Sequence, residues 1–131
     1  MTFFNDIALC IVTHDSPKEL SRFAYCIEQT TTYPCKYHIL DNGSTSQIAI
    51  TTSETLWTNN KGVYDRVEKP MFLGEAYNRL LNSVETKYCV FIPINNLLSH
   101  GWLQEILHEI SMIDNTGAVS IKSQNDNLFI S

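Results

Sequence analysis

Seven consecutive residues, Ile7-Ala8-Leu9-Cys10-Ile11-Val12-Thr13, run without a charge, and the first polar side chain is the terminal threonine. A strand with one wet face alternates apolar and polar residues. An unbroken apolar strand is covered on both faces, the condition of a parallel sheet between layers of helix. Tyr37-His38-Ile39-Leu40 and Tyr88-Cys89-Val90-Phe91-Ile92 repeat the pattern, the second stopped by Pro93. A parallel sheet needs a crossover between its strands, so the sequence between these runs should be helical.

It is. Ser16-Pro17-Lys18-Glu19 puts serine at a cap, proline at the first helical position and glutamate three residues after the cap. Leu20, Phe23, Ala24 and Ile27 then recur on one helical face, and the helix should fade at Thr30-Thr31-Thr32, before Pro34. A second helix opens at Gly74 and carries Ala76, Tyr77, Leu80, Leu81 and Val84. A third carries Leu103, Ile106, Leu107, Ile110 and Ile113. Gly62 to Glu68 alternates and reads as a strand near an edge, ended by Pro70, while Ala118-Val119-Ser120-Ile121 reads as a last strand. The threonine-rich stretch from Thr45 to Asn60 has too weak a period to assign. The expectation is a three-layer α/β/α fold with a mostly parallel, Rossmann-like sheet, and residues 1–131 as a single domain.

Composition excludes several functions. Nine basic residues against fourteen acidic give a net charge of -5, and no basic block offers a grip on nucleic-acid phosphates. No apolar run approaches a transmembrane span, and the N-terminus lacks the basic start of a signal peptide. Cys10, Cys26, Cys35 and Cys89 form no C-x-x-C and read as buried, reduced side chains of a cytoplasmic protein. No G-x-G-x-x-G follows the first strand, no P-loop is present, and no paired-acid cluster ends the first strand.

Ligands of open parallel sheets bind beyond the carboxyl ends of the strands. Those ends here are Thr13-His14-Asp15, Asp41-Asn42-Gly43-Ser44 and Pro93-Ile94-Asn95-Asn96. The helix opening at Gly74 adds backbone N–H groups that favour an anion. Each element also has a plain structural reading. Asp41 to Ser44 can be only a turn, and His14 a surface residue. Asp15 can partner a helix start, Gly74 can serve its turn, and Asn95 and Asn96 are ordinary loop residues. Trp102, Leu103 and Cys89 read as core.

Ile-Val-Thr-His-Asp-Ser-Pro, then Ile-Leu-Asp-Asn-Gly-Ser-Thr, resembles the opening of family 2 glycosyltransferases with the GT-A fold. Gly74-Glu75-Ala76-Tyr77-Asn78 resembles that family's Gly-x-Ala-Arg-Asn helix start, with Tyr77 in the arginine's place. Phe91 to Leu103, ending Gly-Trp-Leu, resembles its strand, metal loop and following helix, and Gly117-Ala118-Val119 its next strand. The resemblance implies a nucleoside diphosphate sugar as donor. It implies nucleotide contacts from Thr13, His14, Asp15, Asp41, Asn42, Gly43, Ser44, Gly74 and Asn78, with Asp41 accepting from the base or ribose.

Two departures bear on chemistry. The family's Asp-x-Asp metal motif falls on Pro93-Ile94-Asn95, with Asn96 next. Proline has no side-chain ligand and asparagine is neutral, so the expectation is nucleotide binding that does not depend on Mg²⁺ or Mn²⁺. The family's acceptor-binding half, with its catalytic base, follows the strand near Val119, and the sequence ends at Ser131. No catalytic residue is therefore assigned. Transfer is expected to need a partner protein or second copy that completes the site. The alternative is a degenerate, non-catalytic module that binds a nucleotide or another protein.

Overall fold

The computed structural model describes residues 7–31, 35–60, 62–96 and 98–112. Four strands and four helices alternate: β1 (Ile7–Thr13), α1 (Pro17–Thr30), β2 (Lys36–Asn42), α2 (Gln47–Asn60), β3 (Gly62–Val67), α3 (Leu73–Leu81), β4 (Tyr88–Phe91) and α4 (Trp102–Met112). The sheet order is β3-β2-β1-β4, and every neighbouring pair is parallel. The chain thus builds outward from β1 to β3, then returns to the other side of β1. The turning point lies between β1 and β4. Crevices form there at the carboxyl edge, because the connections from neighbouring strands leave in opposite directions.

The apolar run of β1 is buried as its sequence demands. Ile7, Leu9 and Ile11 join Tyr37 and Ile39 on one face, against Phe23 and Ile27 of α1, Leu56 of α2, and Trp102, Leu103 and Ile106 of α4. Cys10 and Leu40 face the other way, against Ala76 and Leu80 of α3. Burying one such large side chain stabilises the fold by about 1.5–3 kcal/mol, so the first cluster dominates. The indole N–H of Trp102 donates to Thr31 Oγ1 at 2.9 Å, which lets the ring sit in the core with its polar atom satisfied.

Residues 47–60 form α2, which the sequence pattern left unassigned. Its buried stripe is only Ala49, Ser53 and Leu56, too narrow and too polar to show as a period. Thr52, Thr55 and Thr58 each donate to the carbonyl four residues back, so the threonines that obscured the helix are absorbed by it. Ser53 Oγ donates to Ile50 O and meets Tyr64 Oη at 3.0 Å, tying α2 to β3. β3 is paired on one side only among the described residues, as its alternation suggested.

Four smaller expectations change. Ser16 holds the N-cap position and Pro17 the first turn, but Ser16 Oγ makes no cap; it donates to His14 O instead. α3 begins at Leu73, one residue before Gly74, and β4 ends at Phe91, although the N–H of Ile92 still donates to Cys10 O. Cys26 and Cys89 are half-buried rather than enclosed, while Cys10 and Cys35 are buried and their thiols pushed up to about 12 by desolvation; all four are free. Cys26 Sγ exchanges hydrogen bonds with the backbone of Leu98. The expected strand at Ala118–Ile121 lies outside the described residues.

Candidate functional site

The carboxyl ends of β1 and β2 lie side by side, with Thr13 in register with Asp41. From there the two following turns form one hydrogen-bonded corner. His14 Nδ1 donates to Asn42 O at 2.7 Å, and its ring is half exposed with Nε2 3.9 Å from Asp15 Oδ2. The backbone N–H of Asp15 donates to Ser44 Oγ at 2.9 Å. The Asp15 carboxylate accepts from the N–H groups of Thr45 and Ser46, both at 2.7 Å, and from Thr45 Oγ1 at 3.0 Å. Reaching them puts Asp15 at a left-handed φ of 39°. The amide of Ser46 above all, then that of Thr45, holds its carboxyl below the ordinary range. Asp15 therefore serves a helix start, but that of α2 rather than the nearby α1.

The β2 turn is built as tightly. Asp41 Oδ1 accepts from Ser44 N at 2.9 Å, closing an Asx-type turn. The amide of Asn42 works as a piece of false strand: Nδ2 donates to Met71 O at 2.9 Å, and Oδ1 accepts from Met71 N at 2.8 Å. Gly43 has a φ of 77°, and a Cβ there would lie 2.6 Å from the Pro70 ring. Only glycine fits that approach.

Two buried polar atoms in this corner have no hydrogen-bond partner: Thr13 Oγ1 and Asp41 Oδ2. Asp41 is fully buried, and the group nearest its Oδ2 in charge is Arg66, whose Nε lies 3.8 Å away. Arg66 spends its own best hydrogen bond elsewhere, donating from Nη2 to Ser44 O at 2.7 Å. The guanidinium thus lies over a carboxylate it does not fully satisfy. Arg66 is the site residue that the sequence pattern did not reveal. Its register with Asp41 comes from β2–β3 pairing, and no local motif marks it.

Gly74 and Asn78 stand on α3, which follows the carboxyl end of β3, and both are exposed. A Cβ on Gly74 would meet nothing within 4 Å, so no packing demands glycine there. Beyond β4, Pro93, Asn95 and Asn96 are exposed, with Asn96 N donating to Pro93 O in a turn. A divalent cation in that loop would need charged oxygens. These residues offer neutral amides and a proline ring, so they do not fit one. Among the described residues no group of three His, Cys, Asp or Glu lies together. Phe91 at the end of β4 is half exposed and meets Tyr77 of α3 edge-on, with centroids 5.1 Å apart.

No family model matches the chain, and no curated protein matches it by sequence. A solved structure does match by shape: TarS residues 1–349 from S. aureus, with a TM-score of 0.71 and 14% identity. The match covers 88% of this chain and 38% of that one. TarS is a GT-A-type glycosyltransferase. At that identity the likeness establishes the fold, which is GT-A-like with a Rossmann-like parallel sheet. Among the described residues no helix is long and apolar enough to cross a membrane.

Proposed function

We propose that this chain is the nucleotide-binding part of a family 2-like glycosyltransferase and holds a nucleoside diphosphate sugar at the carboxyl edge of β1 and β2. The observation that carries this reading is the pair of unpartnered buried atoms there, Thr13 Oγ1 and Asp41 Oδ2. A buried acceptor left unpaired costs about 1–3 kcal/mol, and a ligand N–H or O–H recovers that cost. Arg66 must swing aside from Asp41 to admit it. His14, half exposed and oriented by Asn42 O, offers its ring face to the base. Asp15, Asn42, Gly43 and Ser44 shape the turn rather than reach the ligand: Thr45 and Ser46 hold the Asp15 carboxylate, Met71 holds the Asn42 amide, the Asp15 N–H donates to Ser44 Oγ, and Gly43 supplies the left-handed bend. Gly74 and Asn78 lie open toward a diphosphate near the first turn of α3.

The chain spans 38% of the TarS structure it matches, and sugar transfer belongs to the proposal only with a partner protein or second copy that supplies the acceptor side. Calorimetric titration with uridine, guanosine and adenosine diphosphates and their sugars, with and without Mn²⁺, tests the reading. At least one nucleotide should bind, with the same affinity in Mn²⁺. Asp41→Asn should weaken it by about 1–3 kcal/mol, because an amide accepts more poorly and places a donor against the ligand's donor. Binding to none of the panel would overturn the proposal, and a strict Mn²⁺ requirement would overturn its metal-independent form.

A second reading is a degenerate interaction module. It is favoured by the guanidinium over Asp41 and by Phe72 and Leu73, which are 83% and 60% exposed at the start of α3. That reading is distinguished by full stability and partner capture without any nucleotide affinity.

A further inference from the structure

The opposite, amino-terminal edge of the sheet holds a cavity of about 390 Å³. Lys36 and Gly62 open β2 and β3 there, His38 lies just inside β2, and Ser83, Glu85 and Thr86 come from the segment between α3 and β4. Nothing in the proposed nucleotide site uses these residues.

His38 is only 4% exposed. Ser83 has one hydroxyl proton and donates it to Leu80 O at 2.6 Å. Its oxygen must then accept from His38 Nδ1, 2.9 Å away. The neutral ring is thereby fixed as the Nδ1–H tautomer, and Nε2 carries a lone pair with no protein donor among the described residues. Burial first, then the Lys36 charge, holds this imidazole below its ordinary value against the opposing pull of Glu85, so the acceptor form prevails near neutral pH. The cavity lining therefore brings together three complementary side chains: the ammonium-bearing Lys36, the exposed Glu85 carboxylate, and the imidazole acceptor of His38.

We propose that this cavity binds a small zwitterion of α-amino-acid type, its carboxylate on Lys36 and its ammonium shared between Glu85 and His38 Nε2. A simple anion would meet Glu85 uncompensated, and a simple cation would meet Lys36. An apolar ligand would cover the imidazole acceptor and both charges without pairing any of them. The volume lies at the small end of ligand cavities and leaves room for an amino acid.

The test is NMR on the full, isotope-labelled chain, following the His38 ring nitrogens and the amides of Ser83, Glu85 and Thr86. Glycine and L-alanine are the probes, and N-acetylglycine and glycinamide, each lacking one charge, are the controls. Saturable shifts with a probe, at least about tenfold weaker with both controls, support the proposal. So does a further loss of about tenfold in each of Lys36→Gln and Glu85→Gln, whose spectra elsewhere report an intact fold. No saturable shift at about 50 mM probe, where even a millimolar site is filled, overturns it. Equal response to the charge-blocked controls also overturns it. Nucleotide titration of the same sample reports on the Asp41 corner separately, so the two sites stand or fall independently.

Discussion

Gly43→Ala is the sharpest probe of the corner that joins β2 to its turn. The backbone there has a φ of 77°, and an added Cβ would sit 2.6 Å from Pro70 Cγ and 2.8 Å from Pro70 N. A left-handed L-residue costs about 1–2 kcal/mol, and overpacking against a rigid ring about 1–3 kcal/mol more. Alanine also narrows the unfolded ensemble, which returns about 0.4–1 kcal/mol. The net loss should therefore be about 1–4.5 kcal/mol, read as a lower urea midpoint at unchanged slope. Pro70→Ala in the same chain removes the ring carbons but neither the contact with the backbone N at 2.8 Å nor the backbone strain. The double variant should recover part of the loss, with a coupling of about 1–3 kcal/mol in the four-member cycle. A Gly43→Ala chain within about 0.5 kcal/mol of the parent would refute the argument. A full loss with no recovery in the double variant would refute its steric half.

Asp15 is ionised in the fold at a pH where the unfolded chain has begun to take up protons. Its contribution is thus present above the ordinary carboxyl value of 3.8 and is lost as the pH falls through the lower folded value. Urea melts of Asp15→Asn should differ most from the parent at about pH 6 to 7 and converge with it as the pH falls below 3.8; a constant gap would contradict the assigned hydrogen bonds. Arg66→Met removes the cation that lies 3.8 Å from buried Asp41 and the bond to Ser44 O, and should cost about 1–3 kcal/mol. Adding Asp41→Asn to Arg66→Met should return part of that loss, because the uncompensated buried charge goes with it; additive losses would show the two side chains to be uncoupled.

The sequence by itself determined the class of fold. An apolar run such as Ile7 to Val12 can be buried only on both faces, and the helical periods of residues 17–30 and 102–112 supply the covering layers. It also marked the turn that ends β2, because aspartate, asparagine and glycine act locally on their own backbone, although Asp41 and Asn42 stay in the strand, paired with Arg66 and Val67, and the chain turns only from Gly43. Two features were beyond it. The helix at 47–60 hides behind threonines whose hydroxyls its own carbonyls absorb, and its narrow buried stripe gains meaning only once β3 and Tyr64 are beside it. The site's electrostatics depend on strand order and register. Only pairing of β2 with β3 sets Arg66 over Asp41, and only the β1–β2 turns carry Asp15 to the start of α2 rather than α1. A local pattern encodes what a residue does to its neighbours in the chain. Which distant group a buried charge meets is decided by the packing that excludes water from both.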